Sequence, residues 1–237
     1  MSDPLLSIVI PALNEVEVVA KTLAPLQLER GANVEIIFVD GGSTDDTVQN
    51  ARSLVDVVEY SSPGRARQMN AGAAIARGKY LAFLHADSQI STVALRELLK
   101  ICNEESAAWG FFKIRLDNGR LPFRIIETFM NWRSRLSGVA TGDQSLFVKL
   151  STFRDIGGYR IMPLMEDIEI SKRLRNLARP QIVRVPVVTS ARRWENNGVM
   201  ATVLLMWWLR LAYFIGVSPA RIHAWYYSSP DERGNKA

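Results

Sequence analysis

The sequence predicts an α/β fold built on a mostly parallel, doubly wound central sheet flanked by helices. Three observations predict it. Short apolar, β-branched runs alternate with helical runs through the first half of the chain. The connections between them are short, as in successive strand–helix units. The composition is globular, with 48% hydrophobic and 22% charged residues in 237, enough for one large core and short for two.

The elements follow in order. Leu6 to Ile10 reads as a buried strand ending at Pro11. Glu15 to Leu26 reads as a helix that Asn14 can cap. Val34 to Val39 is a second strand, closed by Asp40-Gly41-Gly42. Ser43 and Thr44 open a helix with Asp45 and Asp46 in its first turn, where the helix dipole favours acids. Val55 to Tyr60 is a third strand, Arg65 to Ala76 a small-residue helix and Tyr80 to Leu84 a fourth strand. Further on, Trp109 to Leu116 alternates like a strand with one wet face, and Leu121 to Leu136 reads as an amphipathic helix. Ser145 to Val148 and Ile182 to Val188 are strand candidates, and Glu166 to Leu177 is a helix with Ile168, Ile170, Leu174 and Leu177 on its apolar side. No linker divides the chain, so residues 1–227 are expected to form one domain, with a polar tail at 228–237.

Ligands of doubly wound sheets bind beyond the carboxyl ends of the strands. Four polar groups of residues fall there: Pro11-Ala12-Leu13-Asn14-Glu15, Asp40 to Asp45, the stretch from Gly64 through Arg65 and Arg67, and His85-Ala86-Asp87. Taken alone, Asp40 is equally a turn former. Four such groups at successive strand ends point to a ligand crevice.

These strings carry a resemblance. "SIVIPALNE", "VDGGSTDDT", "GRARQMNAGAAIARGKYLAFLHAD" and "GGYRIMPLMEDIEISKRLR", in that order, resemble the family-2 glycosyltransferases of GT-A fold. The likeness is greatest to small bacterial members with "FLHAD" in place of the usual acidic triplet, and it covers roughly residues 6 to 195. It implies transfer of a sugar from a nucleoside-diphosphate donor, UDP-linked by expectation, with inversion and with Mn²⁺ or Mg²⁺. Residues 1–90 would form the nucleotide-sugar half, 91–195 the acceptor half and 196–227 a C-terminal apolar helical segment.

The resemblance implies roles as well. Pro11, Asn14 and Glu15 would line the nucleoside pocket, with Gly42 and Ser43 beside them. Asp40 would hydrogen-bond the base and Arg65 would approach the diphosphate. Asp87 would hold the metal, and Asp167 would be the general base, with Glu166 as the alternative. The chemistry agrees with this division. Charge builds on the leaving diphosphate, which a carboxylate-held cation neutralises. The attacking hydroxyl must lose a proton to a positioned base. The plainer account of Glu166-Asp167 is a pair of acids favoured in a helix first turn.

Some positions depart from the family pattern. His85 replaces the first acid of the metal triplet, and three readings stay open: a ligand suited to Mn²⁺, a donor contact, or a packed histidine. "SARRW" at 190–194 resembles a Gln-x-x-Arg-Trp motif with Ser190 in place of Gln, which argues against processive synthesis. Arg192 or Arg193 would contact the diphosphate and Trp194 would stack on an acceptor. Otherwise they are surface arginines and a buried ring. Asp143 and Gln144 sit where the family places its acceptor-side loop.

Val199 to Val217 is apolar except for Thr202, Arg210 and a few small or aromatic positions. Three readings stay open: a membrane span, opposed by Arg210, an interfacial or partner-binding helix, and a segment packed in the fold or in a homodimer. The net charge of +5 and a pI near 9.5 fit anionic partners. The basic, aromatic stretch from Lys113 to Arg135 suits a lipid-linked or anionic acceptor, or is a solvated face. A saccharide acceptor is equally compatible.

One cysteine, Cys102, and no signal-peptide pattern lead to an expected cytoplasmic location, at the inner face of the cell membrane if the apolar segment touches lipid. A nucleotidyltransferase is disfavoured because no glycine-rich basic loop follows the first strand. A non-catalytic nucleotide-sugar-binding or membrane-docked protein is the other alternative. Nucleic acid is not an expected partner, since the arginines are scattered among acids.

Overall fold

A computed structural model describes residues 3–227, leaving aside the side chains of Arg193, Asn196, Asn197 and Tyr227. The tail expected at 228–237 lies outside the described residues. The strands are β1 (Leu6–Ala12), β2 (Val34–Asp40), β3 (Val57–Tyr60), β4 (Tyr80–Phe83), β5 (Ser88–Gln89), β6 (Trp109–Leu116), β7 (Leu146–Lys149) and β8 (Gln181–Thr189). The helices are α1 (Val19–Leu23), α2 (Thr47–Ala51), α3 (Arg65–Ile75), α4 (Thr92–Asn103), α5 (Leu121–Ser137), α6 (Leu150–Asp155), α7 (Glu166–Leu177), α8 (Arg192–Asn197), α9 (Val199–Phe214) and α10 (Pro219–Tyr227).

The strands form one mixed sheet in the order β3-β2-β1-β4-β7-β6-β8-β5. The first four are parallel, as expected. The sheet then reverses at β7, which runs antiparallel to both β4 and β6. Strand β8 returns parallel to β6, and the short β5 pairs antiparallel with β8.

Side-chain alternation divides the core between the two faces of the sheet. Ile8, Ile10, Ile36 and Phe38 pack with Val19 and Leu23 of α1 and Leu95 and Leu98 of α4. Val9, Ile37, Val39, Leu81 and Phe83 pack with Met69 and Ala73 of α3 and Ile170 and Leu174 of α7. Every residue of β1 and β2 is buried, as in a strand covered on both sides.

Some boundaries differ from the sequence reading. Strand β1 runs through Pro11, which is in register with Val39. Its ladder with β4 ends at Val9 opposite Phe83, before the proline, so the missing N–H breaks no bond on that side. The helix expected from Glu15 is confined to Val19–Leu23 and a 3₁₀ turn to Leu26. Asn14 does not cap it. The backbone of Asn14 is left-handed, with φ 54°, and its side chain reaches the loop after β2. Helix α2 begins at Thr47 instead of Ser43, because the residues before it form a loop around Asp40. Helix α4, to which the sequence reading assigned no element, starts where Ser91 Oγ accepts from the N–H of Ala94.

Candidate active site

The loops after β1 and β2 are stitched together. Asn14 N–H donates to Ser43 Oγ at 2.9 Å, and Glu15 N–H donates to Thr47 Oγ1 at 2.7 Å. Thr44 N–H returns a bond to Asn14 Oδ1 at 2.9 Å. Asp40 ends β2 nearly buried, and its carboxylate accepts from the N–H groups of Gly42 and Ser43. Much of its bonding capacity therefore shapes its own turn. Oδ1, with one contact at 3.2 Å, retains room for another donor.

Gln68 of α3 was given no role by the sequence reading. It is buried, and its Nε2 donates to the carbonyls of Ala12 at 2.8 Å and Val39 at 2.9 Å. It thereby ties the ends of β1 and β2 into one wall. A Cβ at Gly41 would come within 3.0 Å of this amide. The only sequence signal was a polar residue on an otherwise small, apolar face of α3.

At the end of β4, His85 is buried and its ring lies against Gly142, where an added Cβ would be 2.4 Å from Cε1. His85 Nδ1 is 3.9 Å from Asp143 Oδ1. The ring thus faces the 3₁₀ turn Gly142–Gln144. Asp87 is partly exposed, with Ser88 Oγ donating to its Oδ1 at 3.3 Å. Glu15 lies close enough for the Asp87 charge to act on it. Burial first, and Asp87 second, push the Glu15 carboxyl up to about 7, against the pull of Arg192 and Arg65.

Asp167 stands in the first turn of α7, after Met165 in a left-handed conformation with φ 72°. Its Oδ2 accepts from the N–H of Gly142 at 2.7 Å and its Oδ1 from the N–H of Ile168 at 2.8 Å. Burial, followed by the neighbouring Glu166 charge, raises its carboxyl to about 6, while these two bonds and Arg65 pull the other way. Arg65 therefore acts on both Glu15 and Asp167, which sets the loop after β1 and the start of α7 around one guanidinium. Arg133 of α5 faces Asp167 and Asp143, and burial lowers its guanidinium pKa.

Other expected site residues serve the framework. Gln144 is fully buried. Its Oε1 accepts from Thr141 N–H and Ser134 Oγ, and its Nε2 donates to the Phe112 carbonyl. It holds the turn and leaves no group exposed to a sugar. Trp194 packs in a small core with Phe123, Ile126 and Ala191. Asp143 has 46% of its side chain exposed and is accessible to a ligand. Arg192 is exposed near Glu15 and Glu17, on the donor side. The side chain of Arg193 lies outside the described residues.

Metal fit can be tested on the carboxylates. Glu15 and Asp87 repel one another, and a divalent cation between a diphosphate and Asp87 would relieve that repulsion. Among the described residues no three His, Cys, Asp or Glu side chains form a ready-made metal cluster. Asp87 fits as a single protein ligand to a cation whose other ligands come from diphosphate and water.

The sequence model described as Glycosyl transferase family 2 matches residues 7–164. This chain belongs to that family. It is 29% identical over 163 residues to the uncharacterized glycosyltransferase YibD of Escherichia coli, covering 63% of this chain and 45% of that protein. Among solved structures it is similar to S. aureus TarS 1-349 in complex with UDP, with TM-score 0.62, 18% identity, and coverage of 78% of this chain and 60% of that one. It is also similar to Mycobacterium tuberculosis glucosyl-3-phosphoglycerate synthase in complex with Mn²⁺, UDP and glucosyl-3-phosphoglycerate. The TM-score there is 0.55 at 18% identity, covering 80% and 71% of the two chains. The chain thus spans less than half of YibD and three-fifths of that TarS chain. The structural likenesses establish the GT-A fold.

Proposed function

We propose that this chain transfers a sugar from a nucleoside-diphosphate donor, UDP-linked by preference, to an acceptor hydroxyl with inversion at the anomeric carbon. The observation that carries the reading is Asp167, a carboxylate raised to about 6, fixed by two backbone N–H groups and sharing Arg65 with the opposite wall. A base of that pKa is ionised at neutral pH and still takes up a proton as the hydroxyl attacks. The stitched loops, with Pro11, Asn14, Glu15, Asp40, Gly42 and Ser43, form the nucleoside side. Arg65 and Arg192 place positive charge where the diphosphate departs.

Bound at Asp87, Mn²⁺ or Mg²⁺ would neutralise charge on the leaving diphosphate. Two fold relatives support the choice of donor, because each was solved with UDP, one of them with Mn²⁺. The test is a panel of UDP-, GDP- and dTDP-sugars with Mn²⁺, read by thermal shift and donor hydrolysis. Stabilisation by uridine nucleotides alone supports the assignment. Stabilisation by none of them removes it.

A further inference from the structure

The C-terminal helices present an apolar face that nothing in the described structure covers. On α9, Met200, Leu204, Trp207, Trp208, Leu211 and Phe214 are exposed, Trp207 to 68% and Phe214 to 60%. Ile215 continues the row just past the helix end. Their spacing of three and four residues places them within an arc of about 120°. The opposite side of α9, with Thr202, Leu209 and Ala212, is buried. Helix α9 is therefore apolar outward as well as inward. Trp225 of α10 extends the outer face, its ring 6.4 Å from that of Trp208. An apolar row of this length on a single chain marks an interaction surface.

Its charge selects the partner. No Asp or Glu occurs between residues 198 and 227, whereas Arg210 and Arg221 do. Arg210 lies at the rim of the apolar arc, and Lys172 of α7 sits 4.4 Å over the ring of Phe214. Helix α5, which packs on the start of α9 through Phe123, Ile126 and Val203, repeats the pattern. It exposes Leu121, Ile125, Phe129, Trp132 and Leu136 along one side, and its single acid, Glu127, is buried against Arg124. Two copies meeting face to face would bring these cations together with no acid of α9 or α10 to pair them. An anionic headgroup layer pairs them, and tryptophans favour the boundary between headgroup and hydrocarbon.

Length excludes the other membrane geometry. Sixteen residues make a helix of about 24 Å, short of the roughly 30 Å hydrocarbon layer. No helix of the described residues is long and apolar enough to cross a membrane.

We propose that the outer face of α9 and α10 docks in the plane of an anionic lipid bilayer. The docking has a consequence for the cleft. Leu209, Ala212, Ile222 and Tyr226 of these helices share a small core with Met165 and Ile168, which flank Asp167. On the sugar-transfer reading of Asp167, a hydroxyl carried by a lipid-anchored acceptor reaches its base without leaving the surface.

The test uses the full chain, no donor and no acceptor, so its outcome is independent of catalysis. Sedimentation with phosphatidylcholine vesicles is compared with and without phosphatidylglycerol. Binding is expected only with the anionic lipid, and added salt should weaken it. Trp207→Glu combined with Leu211→Glu should lower partition about tenfold or more while leaving the melting temperature unchanged, since both side chains face outward. A second readout needs no disruptive change. Vesicles with brominated acyl chains should quench the tryptophan fluorescence of the parent, and Trp207→Phe, Trp208→Phe and Trp225→Phe together should lose most of that quenching. Absence of both sedimentation and quenching in the parent overturns the proposal. So does a concentration-dependent dimer that the Glu variant abolishes, with no vesicle binding by the parent.

Discussion

The backbone N–H of Gly142 donates to Asp167 Oδ2 at 2.7 Å, and the ring of His85 closes the other side of Gly142. The turn Gly142–Gln144 thus links the carboxylate proposed as base to the ring at the end of β4.

The first prediction follows from that contact. In Gly142→Ala the new methyl would lie 2.4 Å from His85 Cε1 and 2.8 Å from Nε2, so turn or ring must shift. Turnover should fall about 10–100-fold through misplacement of Asp167, with donor affinity nearly unchanged. His85→Ala in the same chain removes the clash and should restore part of the loss. A double-mutant cycle on kcat checks it, and strict additivity of the two changes would contradict it.

The pH profile gives the second. Asp167 is active as a base only when ionised, and burial together with Glu166 raises its carboxyl to about 6. Turnover should therefore be level above about pH 7 and drop about tenfold per unit well below pH 6. The stability linkage has the matching sign. A carboxyl with a folded pKa above its unfolded value contributes stability at low pH that is lost as pH rises through about 6. Kinetic profiles and melting curves from pH 4 to 8 read both, with the approximate window set by that pKa.

The third concerns the donor wall. Gln68→Leu removes the side-chain donor shared by the buried carbonyls of Ala12 and Val39, although Ala12 keeps the Gly41 N–H. It should cost about 1–3 kcal/mol of stability and weaken nucleotide binding in parallel. Asp40→Ala should weaken binding by a similar 1–3 kcal/mol, because it frees the Gly42 and Ser43 N–H groups as well as any contact with the base. Chemical denaturation beside UDP calorimetry separates loop collapse from a lost ligand contact.

The fourth concerns the cation. Asp87→Asn should abolish the gain in donor affinity that Mn²⁺ supplies while leaving the fold intact. His85→Ala should retain most of that gain, since its ring faces Gly142 and Asp143. Titration of UDP with and without Mn²⁺, and with EDTA, measures the difference. Equal affinity in EDTA and Mn²⁺ for the parent would remove the metal from the account.

Strands β1 and β2 were legible because they are short, fully buried runs rich in β-branched residues. Helix α7 was legible through Ile170 and Leu174, which share one core, whereas Ile168, expected beside them, turns to the core formed with α9 and α10, and Leu177 is exposed. The polar residues at the strand ends also marked the cleft. What the sequence hid is long-range bonding. Asn14 looks like a cap, but the Ser43–Thr44 loop, 29–30 residues away, claims it. Gln144 looks like a sugar contact, yet Ser134, Thr141 and Phe112 use it up. Trp194 reads equally as a stacking ring or a packed one, and the core it partly enters exists only once α5 and α9 meet. The reversal at β7 has the same origin, because strand direction depends on pairing with β4 and β6 and leaves no local trace.

On the proposed mechanism, Asp167 removes the acceptor proton in a single inverting displacement. The most direct measurement compares parent and Asp167→Asn on the donor identified by the nucleotide panel, following turnover and, by NMR, the first-formed anomer of the product or of the hydrolysed sugar. The parent should give an inverted anomer, and the variant about 10²–10⁴-fold slower turnover at nearly unchanged donor affinity. A retained anomer, or an Asp167→Asn enzyme working at the parental rate, would contradict it.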